Sequence, residues 1–292
     1  MKAENKKDII SIFNRTNQEQ TIYQLQKQIE AILINSTNPK LETELILSHY
    51  LNCSRFELYL DNKKTILPEN IAIIQKAVKK RLNNVPIQYI LNEAYFWGLK
   101  FYVDSNVLIP RPETELLIEN VLKNHSGKIS ILDIGTGSGA ISIALATELP
   151  KADIYASDIS SDAIKVAKKN AIYHKTPINF VYSNLFENIS TKFDVIISNP
   201  PYISEQEYLC LSEEITRYEP KSALVAQNDG YFFYDNILSQ AEQHLKEKGK
   251  IYFEIGSEQS NKIKELARKY GFKEIRTIKD LNNFDRIMII SK

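Results

Sequence analysis

Apolar residues recur at helical spacing through the first part of the chain. Ile22, Leu25, Ile29, Ile32 and Leu33 share one face, and Leu41, Leu45, Ile46 and Tyr50 share another. Asn38-Pro39 and Leu67-Pro68 punctuate these runs. The pattern predicts a helical N-terminal domain over residues 1–85, in which the polar, weakly patterned residues 1–20 read as a frayed helical extension. Residues 86–110 change character. "PIQYI", "AYFWGLKFYV" and "VLIP" are aromatic and β-branched, with Gly98 available for a turn, so they predict a strand pair linking two domains. "RPETELLIENVLK" then opens a helix with Pro112 in its first turn, and residues 111–292 form the second domain.

In that second domain strand and helix patterns alternate. Strands are expected at 129–134, 153–157, 178–182, 193–198, 250–255, 272–278 and 286–291. Helices are expected at 139–148, 161–173, 231–246 and 258–270. This alternation predicts an α/β fold, an open and mostly parallel sheet with helices on both faces. Such sheets bind ligands beyond the carboxyl ends of their strands. The places to look are therefore just after residues 134, 157, 182 and 198.

Composition narrows the chemistry more than the fold. The 292 residues are 43% hydrophobic and 25% charged, with a formal net charge of +1. No broad field points at nucleic acid or a membrane. Cys53 and Cys210 are too few for a disulfide framework, and His49, His125, His174 and His244 are scattered, which argues against a zinc site. The N-terminus carries no signal-peptide pattern, and no apolar run nears the ~20 residues that span a bilayer. A reducing, cytoplasmic setting is expected.

The first expected strand runs into "LDIGTGSGAIS". Gly135, Gly137 and Gly139 alternate with Thr136 and Ser138, and a helix follows. Glycine permits a tight turn and close backbone approach, and a helix N-terminus favours a negative group. Asp158 closes the second strand, where a carboxylate can accept both hydroxyl hydrogens of a ribose. A bare strand-to-helix turn is the plain alternative for the glycines alone. Loop and acid together indicate an adenosine cofactor, either a nicotinamide dinucleotide or S-adenosyl-L-methionine. Asp133, two residues before Gly135, favours the second.

"FDVIISNPPYI" ends the fourth strand on Asn199, Pro200, Pro201 and Tyr202. The Asn199 side-chain oxygen can accept one N–H of an NH₂ group, and the Pro200 carbonyl the other. Proline fixes φ, so that acceptor is held. Tyr202 offers a flat wall for the planar group carrying the nitrogen. An amide nitrogen is a poor nucleophile, because its lone pair is delocalised. Two hydrogen bonds raise its electron density, and alignment alone can contribute ~7–11 kcal/mol. A methyl-transfer site needs no strong base here, and a dehydrogenase has no use for these four residues.

At this level the chain resembles the protein-(glutamine-N5) methyltransferases that modify class-1 peptide chain release factors. The resemblance runs from about Tyr23 to the C-terminus. It rests on "PIQYI", "FYVDSNVLIPRPETE", "LDIGTGSGAISIALA", "ASDISSDAIKVAKKNA", "DVIISNPPYI", "YEPKSAL", "DGYFFYDNI" and "FEIGSEQ". It implies a helical bundle, a β-hairpin and a seven-stranded, Rossmann-like methyltransferase domain. It also implies S-adenosyl-L-methionine as cofactor and the glutamine of a release factor's Gly-Gly-Gln loop as substrate. The enzyme would act as a monomer, without direct contact to nucleic acid. Catalytic roles would fall to Asn199, Pro200, Pro201 and Tyr202. Cofactor contacts would fall to Gly135, Thr136, Gly137, Ser138, Gly139, Asp158, Asn184, Leu185 and Asn199. "IPRPETE" separates the chain from relatives acting on a ribosomal protein, and Arg111 and Glu113 would help close the site. Two positions depart from the family pattern: Asn184 stands where an acid is usual, and Asn92 where glycine is usual. The rival readings are an N6-adenine DNA methyltransferase and a non-catalytic, cofactor-binding release-factor chaperone.

Overall fold

Helix starts in the first part of the chain are set by short-range hydrogen bonds. A computed structural model describes residues 19–292; the expected extension over residues 1–20 lies almost wholly outside them. The described residues fall into two units that divide between Leu91 and Asn92. In the first, strand β1 (Gln20–Thr21) leads into helix α1 (Ile22–Ile32). Thr21 and Gln24 form a reciprocal capping box at that junction. Helix α2 (Pro39–Leu51) starts on an Asn38 cap with Pro39 in its first turn. Helix α3 (Glu57–Leu60), strand β2 (Thr65–Ile66), helix α4 (Pro68–Leu82) and helix α5 (Ile87–Leu91) complete the unit. β1 and β2 pair antiparallel. Leu25, Ile29, Ile46, Leu47, Leu58 and Ile74 form its core. The buried Arg81 guanidinium grips the Glu42 carboxylate at 2.8 and 3.0 Å, tying α4 to α2.

The expectation of a strand at "PIQYI" is overturned. Ile87–Leu91 is helical, and its Ile90 and Leu91 join the first unit's core. A five-residue apolar run does not distinguish strand from buried helix, and tertiary burial decided it. "VLIP" is likewise not a strand. The hairpin is confined to β3 (Ala94–Phe96) and β4 (Leu99–Phe101), in the second unit. Trp97 and Gly98 turn it with φ of 53° and 68°, the positive pair that a two-residue hairpin needs. Asn92 has φ 53°, and its side chain donates to the Val103 carbonyl at 3.0 Å. Asparagine tolerates this left-handed geometry, so the departure from glycine keeps the turn.

A 3₁₀ turn (Pro112–Thr114) leads into α6 (Glu115–Asn124). β5 (Ser130–Ile134), α7 (Ala140–Glu148), β6 (Asp153–Asp158), α8 (Ser161–His174), β7 (Asn179–Tyr182) and β8 (Phe193–Ser198) alternate as expected. Two short helices, α9 (Glu205–Tyr208) and α10 (Glu213–Tyr218), follow β8. α11 (Phe232–His244), β9 (Leu245–Glu254), α12 (Ser260–Lys269), β10 (Glu274–Lys279) and β11 (Asp285–Ser291) end the chain. The seven strands stand in the order β10-β11-β9-β8-β5-β6-β7. All neighbours from β9 to β7 run parallel, and β11 is antiparallel to both β9 and β10.

Strand alternation assigns the faces. Leu132 and Ile134 of β5 join Ile196, Phe253 and Met288 in one core with Tyr234 and Ile237 of α11 and Ile263 of α12. Asp133, between the two leucine-type positions, points to the opposite face and meets Ser142 of α7. Strand order reverses between β5 and β8, the place where open α/β sheets of this kind bind ligands beyond their carboxyl edge. Among the described residues, no helix is long and apolar enough to cross a membrane.

Candidate active site

The glycine loop leaves β5 with φ of 75°, 55° and 80° at Gly135, Gly137 and Gly139. The three glycines do different work. A Cβ on Gly135 or Gly137 would meet nothing within 4 Å, so their open side is a cradle for a ligand. A Cβ on Gly139 would lie 3.1 Å from Ile143 and 3.2 Å from Ala167. Gly139 therefore allows α7 to pack closely on α8. The loop is pinned to β6. Gly135 and Thr136 N–H groups donate to the Ser157 carbonyl at 2.9 and 3.0 Å, and Gly137 N–H donates to Asp158 Oδ2 at 2.9 Å. Asp158 Oδ1 accepts from Ser160 N–H at 2.9 Å, and burial raises its carboxyl above the ordinary range.

Beneath the loop, Asp133 is fully buried. Its Oδ2 accepts from Thr136 at 2.7 Å and from Ser142. Burial outweighs these donors and pushes its pKa up to about 6. Asp133 Oδ1 is buried with no protein partner. A buried orphan acceptor under two glycines with open faces fits a polar ligand on this loop. Ser138 is buried, and its carbonyl accepts from Asn170 at 2.9 Å. Beyond β7, Asn184 donates to Glu187 at 2.8 Å, which keeps its oxygen as a free acceptor, and Leu185 sits at φ 49°.

Asn199 follows β8. Register pairs Asp133 with Ile197, and Ser198 donates to the Ile134 carbonyl at 2.7 Å. Gly135 and Asn199 are therefore the first residues beyond two adjacent parallel strands, at the same carboxyl edge. Asn199 Nδ2 donates to Thr114 Oγ1 at 3.1 Å, which leaves its oxygen as an acceptor. The Tyr202 carbonyl accepts from Gln259 at 2.9 Å, and Gln259 in turn takes the Gly256 N–H at 3.0 Å. Burial pushes the Tyr202 phenol up to about 12.

Asn199, Pro200, Pro201 and Tyr202 line a cavity of about 130 Å³ together with Leu108, Arg111, Leu211 and Glu254. Arg111 pairs with the buried Glu219, which also accepts the Ile109 N–H at 3.2 Å. That bond straps the segment carrying α9 and α10 over the cavity. Glu113 is exposed and acts on Tyr202 and Glu254 only through its charge. The structure thus brings the glycine loop, Asp158, Asn184, Leu185 and the Asn-Pro-Pro-Tyr stretch to one edge of one sheet. Sequence reasoning missed Thr114, Glu254, Gln259 and Gly230. Each lies inside a quoted stretch, in "RPETE", "FEIGSEQ" or "DGYFFYDNI", so the signal was present without an assigned role.

Comparison with known proteins adds an independent line. Residues 112–219 match the Methyltransferase small domain, and residues 24–91 match the PrmC N-terminal domain. A release factor glutamine methyltransferase of Chlorobaculum tepidum is 38% identical over 262 residues, covering 85% of this chain and 88% of its own. One from Buchnera aphidicola is 38% identical over 267 residues, covering 91% and 96%. A methyltransferase structure from Pyrococcus furiosus superposes with a TM-score of 0.51 at 21% identity, over 73% of this chain and 95% of that one, a likeness of fold.

Proposed function

The chain belongs to the release factor glutamine methyltransferase family, and from that membership we propose that the carboxyl edge of its sheet is the methyl-transfer site. The enzyme is S-adenosyl-L-methionine-dependent and acts on a glutamine of a peptide chain release factor. The acceptor atom is the side-chain amide nitrogen, N5, of the glutamine in the Gly-Gly-Gln loop. One observation supports this site reading: β5 and β8 pair in parallel up to Asp133 opposite Ile197, so the Gly135 and Asn199 segments leave the same edge of adjacent strands. The group that would bind the amide and the loop that would bind the cofactor thus follow neighbouring strands of one sheet.

Gly135, Thr136, Gly137 and Ser138 would cradle the cofactor, Asp158 would accept the ribose hydroxyls, and Asn184 and Leu185 would flank the adenine. When bound, the cofactor supplies an electrophilic methyl group on a positively charged sulfur. Asn199 Oδ1 and the Pro200 carbonyl accept the two N–H bonds of the glutamine carboxamide. Proline rigidity holds the second acceptor, and the half-buried Tyr202 ring would confine the amide plane. The ionisable groups of the cavity are already engaged: Arg111 by Glu219, and Glu254 by Thr114 and Tyr202. Among the described residues that line the cavity there is no free strong base, consistent with catalysis by alignment. The net charge of +1 favours a protein substrate over duplex DNA.

The test offers labelled methyl donor with release factor, ribosomal protein and duplex DNA side by side. Mass spectrometry locates the methyl group. Glutamine N5 in the release factor is the expected product, lost in Asn199→Ala with cofactor binding kept. Methyl on adenine, or undiminished transfer by Asn199→Ala, rejects the proposal.

A further inference from the structure

Behind Asn199 lies a chain of two buried side chains drawn from distant parts of the sequence. Thr114 ends the 3₁₀ turn before α6, and Glu254 ends β9. Both are nearly inaccessible to solvent, at 5% and 2% exposure. The Thr114 hydroxyl donates to Glu254 Oε2 at 2.6 Å and receives the Asn199 amide N–H at 3.1 Å.

This chain has a direction. An ionised carboxylate only accepts hydrogen bonds, so Glu254 in the form that prevails above about pH 7 obliges the Thr114 hydroxyl to donate its single proton to it. Only lone pairs of that oxygen then face Asn199. The Asn199 side chain must present NH₂ to Thr114 and so must turn its carbonyl oxygen into the cavity. The opposite rotamer would put NH₂ against the NH₂ of a bound glutamine and leave two acceptors facing each other at Thr114. Asparagine is nearly symmetric in shape, so packing alone does not choose between the two orientations. The choice has to come from hydrogen bonding, and this relay supplies it.

We propose that Thr114 and Glu254 are positioning residues for methyl transfer, which fix the amide orientation of Asn199 so that it accepts from the substrate nitrogen. This rests on the site reading given above and deepens it. Glu254 is itself held from several directions. The Tyr202 hydroxyl bonds it, Arg286 of β11 draws it by charge, Glu113 opposes it by charge, and the Tyr234 hydroxyl donates to its backbone carbonyl at 2.8 Å. These contacts fix the position of the Glu254 side chain, and its ionisation near pH 7 sets the pH above which the relay has this direction.

Thr114→Val keeps the shape and removes the hydroxyl. Its kcat for release-factor methylation is expected to fall by roughly 10–100-fold, the cost of losing orientation in an otherwise intact site. KM and the calorimetric cofactor Kd are expected to stay within about two-fold. Thr114→Ser, which restores the hydroxyl, is expected to recover most of the rate. The relay is overturned if Thr114→Val turns over at the wild-type rate while Asn199→Ala is inactive. It is also overturned if Thr114→Ser is as slow as Thr114→Val, or if cofactor binding is lost together with kcat. Transfer surviving in Asn199→Ala would instead reject the underlying site reading.

Discussion

Replacing Gly230 with alanine places a methyl group against the backbone of the Asn-Pro-Pro-Tyr stretch. Gly230 has φ 88°, and a Cβ there would sit 2.2 Å from the Tyr202 carbonyl oxygen and 2.7 Å from Gln259 Nε2. An ordinary carbon-to-oxygen contact is about 3.3 Å, so the carbonyl would have to retreat by roughly 1 Å. Two costs add. A left-handed conformation costs a non-glycine residue about 1–2 kcal/mol, and relieving an overpacked contact about 1–3 kcal/mol. Gly230→Ala should therefore destabilise the second unit by about 2–5 kcal/mol. A shift of that size in the residues holding the amide should also lower methyl transfer by about 100-fold. Gly135→Ala is the control. Its φ is similar at 75°, but a Cβ there meets nothing within 4 Å, so only the backbone cost applies. Urea unfolding followed by the fluorescence of Trp97, the sole tryptophan, reports on the second unit. The midpoint should shift more for Gly230→Ala than for Gly135→Ala at unchanged slope. Equal midpoints for the two variants would refute the reasoning.

Burial lifts the Glu254 pKa from 4.5 to about 7, with Thr114 and Arg286 opposing the shift only in part. The folded state then holds this proton more tightly than the unfolded chain does. The stabilisation is complete below about pH 4.5 and is lost as pH rises through about 7, a loss of about 3 kcal/mol by pH 8. Melting temperature against pH should accordingly fall less steeply over that window in Glu254→Gln than in wild type, and parallel profiles would contradict it. Removing the Asp158 carboxylate with Asp158→Ala should weaken cofactor binding by roughly 10–100-fold, because charge-assisted hydrogen bonds are lost and Gly137 is released. Isothermal titration calorimetry measures this directly, and an unchanged Kd would remove Asp158 from the cofactor site.

Much of this protein is written in local patterns. Period-two and helical spacing located the seven strands of the sheet and its long helices to within a few residues, apart from an early start to β9 at Leu245. These signals survive because burial of one face repeats at the pitch of the element itself. "LDIGTGSG" and "SNPPY" were equally readable, since turn geometry and acceptor chemistry follow from residue type. Tertiary contact alone made Ile87–Leu91 a helix, because a short apolar run takes whichever form its neighbours bury. It also separated Gly139, packed against Ala167, from Gly135 and Gly137, which share its left-handed φ but face open space. The Thr114–Glu254 bond joins residues 140 positions apart. No spacing rule foretells that bond, because a hydrogen bond needs two groups within about 3 Å, and strand order, not chain proximity, brings them there.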